Sequence, residues 1–372
     1  MISKYIYLFI GTTAEYIKLA PVIKELNKRG ISYKIITSGQ QKVKFVDLEY
    51  FVGKINVYYA FKQRAIIIPL PLIFGFIIWT IKALYNYFLF FRIELKGRTK
   101  QNTYFIVHGD TVSALLGALV ARFFHVTLVH IESGLRSFNF LEPFPEEICR
   151  NIVSELADIH FCPNRWCENN LKCAKGIKID TGQNTLIETF WSTVGRKKNN
   201  SSIDHITRNK KYFMLVVHRQ EHVIFNKNNM KQVLQIVLSS IPSNMLCVFI
   251  IHDMSVPFIY ELKKYTGKKY LRNVVFIKKL PYIDFMYLLQ GSEFVVTDGG
   301  SNQEELYYMG KPCLLLRNYS ERIEGMNKNV VLSKNNRNKI TNFFKQYQTF
   351  VHQPVKIDKR PSKIIVDYLL VN

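Results

Sequence analysis

Short apolar runs alternate with longer amphipathic stretches along the whole chain, and this pattern predicts the secondary structure. In the first half, runs typical of buried β-strands lie at Ile6–Ile10, Tyr33–Thr37, Tyr104–Val107, Thr127–His130 and Ile159–Cys162. Stretches with helical periodicity separate them, at Glu15–Lys28, Val112–Phe124 and Glu146–Leu156. Strands that alternate with helices in this way form parallel sheets built from βαβ units.

The second half of the chain repeats the scheme. Its predicted strands lie at Phe213–Val217, Cys247–Ile251, Val274–Ile277, Phe294–Thr297 and Cys313–Leu316. A chain of 372 residues is long enough for two domains. We therefore predict an α/β fold with two Rossmann-like, doubly wound domains, residues 1–172 and 173–372, and a boundary between Cys162 and Thr185. The polar stretch Arg196–Lys211 is predicted to be an exposed loop. Whether the last helical segment, Ser362–Leu370, packs back on the first domain stays open.

The segment from residue 65 to residue 91 is apolar over almost its whole length. Lys82 is its one charged residue, and Pro69 and Pro71 interrupt it. A membrane-spanning helix needs about 20 predominantly apolar residues. Three interpretations are therefore open: a span, a helix buried wholly against a sheet or a second subunit, and a helix at a membrane surface.

The side chains of a helix after Pro71 favour the third interpretation. Lys82 and Asn86 would share one face, while Trp79, Phe88 and Phe90 would lie elsewhere around the helix. Such a helix could be buried in the protein on one side and contact lipid headgroups on the other. Peripheral membrane contact through residues 65–91 is thus one predicted partner, and a homodimer is another.

The composition describes a folded, core-rich chain. Hydrophobic residues make up 48% and charged residues 21%, which excludes a disordered, collagen-like or disulfide-stapled protein. The 51 Lys and Arg against 28 Asp and Glu give a net charge of +23. Such a charge is typical of proteins that meet nucleic acid, anionic membranes or acidic small molecules, but a genome-level bias toward Lys, Asn, Ile, Tyr and Phe explains it equally well. We expect no nucleic-acid partner.

Two further features suggest a cytoplasmic protein. The six cysteines form no CxxC pair, and several lie in apolar runs, as reduced structural thiols do. The apolar run at the N-terminus is too short for a signal peptide and has no cleavage site of small residues. The cytoplasm, with the inner face of the cell membrane as a further location, is the predicted compartment.

A glycine turn in the second half is a candidate anion site. Gly299, Gly300 and Ser301 follow a predicted strand and open a helix, so their backbone N–H groups could hold a diphosphate at the positive end of that helix. Glu305, one turn further on, could accept hydrogen bonds from a ribose. The alternative is a tight strand-to-helix connection without a ligand. The chain has no GxxxxGK[ST] motif, which argues against ATP hydrolysis.

Other polar residues follow neighbouring predicted strands. His218 and Arg219 could make charge-assisted contacts to the same phosphates. In the first half, Asp110 and Glu132 each follow an apolar strand, and Glu146 begins a helix after a proline. Together, several acids at one sheet edge suit proton transfer on a sugar and stabilisation of an oxocarbenium-like centre.

Each acid taken singly also has a structural interpretation. Asp110, Glu132, Glu146 or the neighbouring Glu147 could be a helix cap. Alternatively, it could form a salt bridge to Arg136 or Arg150.

These residues lie in six motifs that resemble the non-hydrolysing UDP-N-acetylglucosamine 2-epimerases, in the same order and at comparable spacing. The motifs are GTTAEYIKLAP (11–21), HGDT (108–111), HIESGLRS (130–137), FPEEICR (144–150), HRQE (218–221) and TDGGSNQEELYYMGKPCLLLRNYSERIE (297–324). The resemblance implies a GT-B fold with the active site in the cleft between two Rossmann-like domains. It implies interconversion of UDP-GlcNAc and UDP-ManNAc for surface polysaccharide synthesis. UDP would be eliminated to give 2-acetamidoglucal and would then add back.

The resemblance also implies roles for single residues. The implied catalytic residues are Asp110, Glu132, Glu146 and His218, with His218 an acid or a phosphate partner. The implied substrate contacts are Lys18, Arg136, Arg219, Gly299, Gly300, Ser301 and Glu305. We expect no cofactor and no metal, because no His/Asp cluster has ligand spacing and the helix N-terminus with Arg219 can neutralise a diphosphate.

Three positions depart from the family pattern. Thr13 stands where the family usually has the Arg of GTRPE, and residues 298–301 read DGGS where the family has DSGG. Cys149 replaces an expected Asn. Loss of an arginine–phosphate contact should cost about 1.5–3 kcal/mol unless another base replaces it. The first two departures both concern how the diphosphate is held.

Three other functions stay open at this point. A membrane-associated GT-B glycosyltransferase would use the same nucleotide site, with residues 65–91 approaching a lipid-linked acceptor. A hydrolysing epimerase would release free ManNAc. A catalytically silent sensor of nucleotide sugars is the least favoured, because Asp110, Glu132, Glu146 and His218 are all present.

Overall fold

The computed structural model describes residues 4–61, 72–196, 207, 210–265 and 271–371, and these form two compact units. The first unit contains residues 1–135, 145–189 and 357–372. The second contains residues 136–144 and 190–356.

The first unit is built on a parallel sheet of seven strands. They are β1 (Tyr5–Ile10), β2 (Lys34–Thr37), β3 (Val57–Tyr59), β4 (Thr103–His108), β5 (Thr127–Ile131), β6 (Ile159–Cys162) and β7 (Ile177–Asp180). Their order in the sheet is β3-β2-β1-β4-β5-β6-β7. Every residue of β4 and β5 is buried, as in parallel sheets covered by helices on both faces.

The second unit contains a parallel sheet of six strands. They are β8 (Lys211–Val216), β9 (Met245–Ile251), β10 (Val274–Lys278), β11 (Val295–Thr297), β12 (Cys313–Leu315) and β13 (Val330–Leu332). Their order is β10-β9-β8-β11-β12-β13. In each sheet the strand order reverses beside the first strand, which is the doubly wound arrangement of Rossmann-like folds. The predicted α/β class with two Rossmann-like halves is confirmed.

Helices connect the strands of both sheets. In the first unit they include α1 (Thr13–Lys28), α2 (Glu49–Val52), α3 (Leu72–Glu94), α4 (Val112–Phe123), α5 (Glu146–Leu156) and α6 (Arg165–Asn169). The helix α7 (Leu186–Thr193) spans the division after residue 189. Further along the chain lie α8 (Gln220–Ile224), α9 (Lys227–Ser239), α10 (Val256–Tyr265), α11 (Tyr282–Gly291), α12 (Gly300–Met309), α13 (Arg337–Gln346) and α14 (Pro361–Val371). Short 3₁₀ turns lie at Phe45–Leu48, Asp253–Ser255 and Tyr347–Phe350.

The sequence pattern missed three short strands: β3, β7 and β13. The strand β7 pairs with β6, so the first unit continues to residue 189, whereas the first predicted domain ended at residue 172. The helix α14 belongs to the first unit and packs on α1, where Arg29 and Asp367 form an ion pair at 2.6 Å. Most of the predicted loop Arg196–Lys211 lies outside the described residues.

One face of α3 is part of the hydrophobic core of the first unit. Ala83, Tyr87 and Phe91 of this helix are fully buried. The Phe91 ring contacts Phe9 and Phe105, with centroids 5.8 and 5.2 Å apart. The Tyr87 hydroxyl donates to the backbone oxygen of Ser38 at 2.5 Å.

The opposite face of α3 is apolar but exposed. Ile81, Tyr85, Leu89 and Ile93, spaced four residues apart, are between 47% and 80% exposed. The neighbouring α4 adds Leu119 and Phe123 to this exposed surface. We call these six residues the α3–α4 stripe. The helix expected after Pro71 is thus present, and it is not wholly buried.

The three aromatic side chains that the sequence placed elsewhere around this helix, Trp79, Phe88 and Phe90, pack against the protein. Trp79 and Phe90 are partly buried and pack against the core of the first unit. Phe88 contacts Phe123 of α4, with ring centroids 4.6 Å apart. Pro69 and Pro71 lie outside the described residues. Within the ranges that the structure describes, no helix has both the length and the low polarity that a membrane span requires.

The cysteines are free thiols in both units. Cys149, Cys162, Cys167, Cys247 and Cys313 are buried, while Cys173 is exposed. The buried thiols act as small apolar side chains, as the sequence predicted.

The two faces of α3 predict different responses to substitution. Phe91→Ala should lower the free energy of unfolding by about 3–5 kcal/mol, because it leaves a cavity among Phe9, Phe90 and Phe105. Arg92→Ala, at the next and exposed position, should change it by about 0.5 kcal/mol or less. Urea unfolding followed by circular dichroism measures both, and equal effects would contradict the burial of this face.

Candidate active site

Three acidic residues follow the carboxyl ends of the first sheet. Asp110 comes two residues after β4, Glu132 directly follows β5, and Glu146 is the first residue of α5. A Cβ added at Gly109 would lie 3.1 Å from Oε2 of Glu132, so this carboxylate lies against the residue that precedes Asp110. Carboxyl ends of parallel strands are where ligands of such sheets bind.

Glu132 is a buried carboxylate with several donors. Lys18 Nζ contacts its two oxygens at 2.6 and 2.9 Å, and Asn184 Nδ2 donates to Oε1 at 2.5 Å. His108 Nδ1 lies 3.8 Å from Oε2. Glu132 also has a φ of 64°, a left-handed backbone conformation that is rare outside glycine and concentrates at functional sites. Lys18, implied by the resemblance to contact substrate, is here the counter-ion of Glu132.

Asp110 and Glu147 share one buried arginine. Arg150 forms short ion pairs with both carboxylates. Cys149 lies close to Asp110 and Glu146: burial and then these two negative charges raise the pKa of its thiol to about 12. The residue that replaces the expected Asn is therefore a buried thiol that experiences the charges of two of these acids.

The N-terminus of α1 is occupied by its own glutamate. Glu15 Oε2 accepts hydrogen bonds from the backbone N–H groups of Gly11 and Thr12 at 2.5 and 3.0 Å, and Oε1 accepts from the Thr111 hydroxyl at 2.5 Å. Burial raises the pKa of Glu15 to about 7, and these hydrogen bonds oppose the shift. Thr13 accepts from the backbone N–H of Lys44 at 3.3 Å. The backbone N–H groups of Gly11 and Thr12, at the start of α1, are thus already hydrogen-bonded to the Glu15 carboxylate.

In the second unit, β11 runs into the predicted glycine turn and α12. Gly299 caps the helix, which begins at Gly300. A Cβ at Gly299 would lie 2.5 Å from His218 Cε1, so the imidazole fills the space that a serine side chain would need. A side chain at this position would therefore require the imidazole to move. Ser301 is the next residue of the helix and is half-buried.

Asp298 organises the residues around this turn. Its fully buried carboxylate accepts the backbone N–H groups of His218 and Arg219 at 3.0 Å. His218 Nδ1 lies 3.2 Å from Oδ1, and His222 Nε2 lies 3.5 Å from Oδ2. Burial alone would raise the pKa of Asp298, but His218, His222 and the Arg219 N–H together lower it.

The pKa of His218 is lowered. A third of its side chain is exposed, yet desolvation by the surrounding protein lowers its pKa to about 4, and the Asp298 charge opposes this shift only in part. Burial also lowers the pKa of His252, whose ring lies 5.6 Å from that of His218.

Buried arginines and glutamates surround the start of α12. Arg219 Nη2 lies 3.2 Å from Glu321, which also binds Arg317 at 2.5 Å. Arg322 pairs with Glu304 at 2.8 Å. Arg219, Arg317 and Arg322, beside the glycine turn, therefore already form ion pairs with carboxylates.

Glu305 is buried and held from two sides. Tyr282 donates its hydroxyl to Oε1 at 2.9 Å, and Asn302 Nδ2 donates to Oε2 at 3.0 Å. Tyr282 is the first residue of α11, in the connection that follows β10. The Asn302 side chain also accepts the Thr297 hydroxyl at 3.2 Å.

Arg136, the remaining predicted contact residue, is buried in the segment 136–144 of the second unit. Glu142 of this segment accepts the backbone N–H groups of Asn318 and Tyr319 at 2.6 and 3.3 Å. Among the residues that the structure describes, no three His, Cys, Asp or Glu side chains form a group that could hold a metal ion.

Several residues of these sites were not identified from the sequence, including Glu15 and Asn184 in the first unit and Tyr282 in the second. The TxxE spacing of Thr12 and Glu15 is a capping-box signal and could have identified Glu15. Asn184 follows the unpredicted strand β7, and Tyr282 is one of many tyrosines, so neither had a local signal.

Comparisons with known proteins agree with these motifs. The family model for UDP-N-acetylglucosamine 2-epimerase matches residues 95–362. The UDP-N-acetylglucosamine 2-epimerase of Campylobacter jejuni is 30% identical over 358 residues, covering 89% of this chain and 85% of that one.

Solved structures show the same fold. The Neisseria meningitidis UDP-GlcNAc 2-epimerase bound to UDP-GlcNAc has a TM-score of 0.78 at 26% identity, covering 99% of this chain and 100% of that one. The Methanocaldococcus jannaschii UDP-GlcNAc 2-epimerase in complex with UDP-GlcNAc and UDP has a TM-score of 0.81 at 23% identity, with the same coverage. The predicted GT-B-like class is confirmed. From the family-model match and the Campylobacter relative, we conclude that the chain belongs to the UDP-N-acetylglucosamine 2-epimerase family.

Proposed function

We propose that the protein interconverts UDP-N-acetylglucosamine and UDP-N-acetylmannosamine by eliminating UDP and adding it back. The observation that carries the proposal is the group of acids at the carboxyl edge of the first sheet, Asp110, Glu132 and Glu146, in a chain of this family. Relatives named for this activity, and a relative's complex with UDP-GlcNAc, support it.

The reaction requires a proton carrier near C2 of the sugar. In the elimination, a carboxylate takes the C2 proton, and the C1–O bond breaks with its electron pair leaving on UDP, which gives 2-acetamidoglucal. In the return, a carboxylic acid protonates the opposite face of C2, and the UDP oxygen re-forms the bond to C1. Positioned carboxyl groups suit both steps, because a carboxyl group can act as base in one direction and as acid in the other.

In this proposal the second unit holds the nucleotide. Backbone N–H groups at the start of α12, from Gly300 and Ser301, would bind the diphosphate with Arg219 and His218. Glu305 would accept the ribose hydroxyls. Tyr282 and Asn302 hold its two oxygens, and a carboxylate oxygen can accept more than one hydrogen bond.

A glycosyltransferase with the same nucleotide site is the second candidate. The exposed α3–α4 stripe is the one observation that suits it, since an acceptor carried on a lipid needs an apolar approach. The relatives named for the epimerase do not favour it. A transferase breaks the C1–O bond only when an acceptor is present and leaves C2 untouched.

Exchange of the C2 proton with solvent separates the two functions. In deuterated water, UDP-GlcNAc alone should gain deuterium at C2, because elimination removes that proton. Glu132→Gln and Asp110→Asn should abolish the exchange while UDP affinity stays within a few-fold, since these acids act on the sugar. NMR of the C2 proton measures the first quantity, and calorimetry the second.

Glu155→Gln is the matched control, because Glu155 is an exposed acid on α5. It should exchange at the wild-type rate. Wild-type protein that binds UDP-GlcNAc without exchange would favour the transferase. If Glu132→Gln lost UDP binding as strongly as it lost C2 exchange, Glu132 would not act on the sugar alone.

The ribose role of Glu305 predicts a change in UDP affinity. Glu305→Ala should weaken UDP binding by about 1–3 kcal/mol, with a smaller effect on pyrophosphate, because only UDP carries a ribose. Tyr282→Phe should weaken UDP less, since Asn302 still holds the carboxylate. Calorimetric titration with UDP and with pyrophosphate measures both, and unchanged UDP affinity in Glu305→Ala would exclude it from the site.

We also propose that a second copy of the chain covers the α3–α4 stripe. Its six apolar side chains run across two neighbouring helices, as at subunit interfaces that resemble a core cut in half. Trp79, the residue best suited to a lipid interface, packs on the core instead. Peripheral contact with an anionic membrane is the competing explanation, because Lys82 and Arg92 lie beside the stripe and are exposed.

Sedimentation distinguishes these two partners. Wild-type protein should sediment as a dimer, and Leu89→Glu should sediment as a monomer, because a charge would be buried at the interface. Ile177→Glu, which puts a charge on an exposed apolar residue outside the stripe, should remain dimeric. A wild-type monomer that pellets with anionic but not with neutral liposomes would overturn the dimer and favour the membrane.

A further inference from the structure

We propose that Asn184 is a positioning residue that holds the Glu132 carboxylate ionised and in one orientation. Its meaning for catalysis rests on the proposed function. The contact itself does not, because it is a property of the free protein.

Both polar atoms of the Asn184 side chain form hydrogen bonds. It is buried, in the connection between β7 and α7, and its Oδ1 accepts the backbone N–H of Leu186 at 3.2 Å and the Thr185 hydroxyl at 3.3 Å. Since the oxygen is used by these donors, the amide nitrogen is the atom that faces Glu132, at 2.5 Å from Oε1. This hydrogen-bond pattern decides the orientation of the amide.

The two donors that contact Glu132 favour its charged form. Lys18 comes from α1, His108 from the end of β4, and Asn184 from the connection after β7. Lys18 and Asn184 can only donate to a carboxylate through the nitrogens that face it, and Lys18 also brings a positive charge. A buried carboxylate with such partners stays ionised, since protonating it would oppose two N–H donors.

If Glu132 stays ionised, its role differs from the roles of Asp110 and Glu146. It would not carry the C2 proton, which would pass to Asp110 or Glu146. Its negative charge would instead stabilise the positive charge that develops at C1 as the C1–O bond breaks and the electron pair leaves on UDP. No bond to Glu132 forms or breaks in this step, so its position and charge are what Asn184 must maintain.

Asn184→Asp tests the inference through its pH profile. When protonated, the new carboxyl can donate an O–H to Glu132 in place of the amide. When ionised, it puts a second negative charge at the same distance. The two carboxyl groups would share one proton. The C2 exchange rate should therefore fall by about tenfold per pH unit above the pKa of this pair, over a range where the wild-type rate changes little.

Asn184→Ala should be slower at every pH, by roughly 10- to 100-fold, because the donor is lost in both protonation states. Asn169→Asp adds the same charge at an exposed position of the same unit and should follow the wild-type profile. UDP affinity should stay within a few-fold in all three variants. A merely structural role for Asn184 would lower the rate of Asn184→Asp without the pH dependence.

Melting curves make the test independent of activity. A shared proton means that the pair binds protons more tightly in the folded than in the unfolded state. The melting temperature of Asn184→Asp, relative to Asn169→Asp, should therefore be highest at low pH and fall as pH rises. If wild-type protein shows no exchange but this melting difference appears, the proposed function fails and the contact stands. If the wild type exchanges and Asn184→Asp follows its pH profile, the inference is wrong.

Discussion

In each unit, the polar side chains at the carboxyl edge of the sheet depend on one constraint: a carboxylate is buried at the end of a parallel strand. In the first unit it is Glu132, which follows β5; in the second it is Asp298, which follows β11. Each lies where backbone N–H groups, a cation or an imidazole can reach it, because connections from several strands meet at that edge. An ionised group that is shielded from water requires such partners, so its neighbours are fixed along with it. Removing either carboxylate would take away an acceptor that those partners share.

The cations near these carboxylates are already engaged. Lys18 pairs with Glu132, and Arg219 pairs with Glu321. A diphosphate would therefore have to compete with a protein carboxylate for Arg219, while the N–H groups at the start of α12 remain the contribution of the backbone. Gly299 gives this arrangement its shape: without a side chain, it lets His218 pack against the turn with Nδ1 directed at Asp298. The replacement of serine by glycine is thus coupled to the position of the histidine.

The sequence allowed the fold to be predicted from the buried strands, because apolar runs such as Ile106 and its neighbours in β4 are unambiguous in a sheet covered on both faces. The edge strand β3 escaped notice, since two of its three residues are exposed and its apolar signal is weak. Asp110, Glu132 and His218 could be identified because each lies within two residues of the end of such a strand. Asn184 could not, because its partner Glu132 lies 52 residues away in the sequence and only the tertiary structure brings them together. The outward direction of Ile81 and the inward direction of Trp79 likewise depend on which face of α3 meets the sheet, and an almost uniformly apolar helix carries no periodic signal for that choice.

In the proposed reaction, the bond between the sugar and UDP breaks and re-forms on the protein. The most direct test uses UDP-GlcNAc labelled with ¹⁸O in the oxygen that joins C1 to the β-phosphate, incubated with the wild-type protein and no acceptor. If UDP leaves and adds back, rotation of its terminal phosphate should move the label from the bridging position into the non-bridging positions, which the ³¹P NMR shift of the β-phosphorus reports. A label that stays in the bridge while C2 exchanges or epimerises would contradict elimination of UDP and the account built on it.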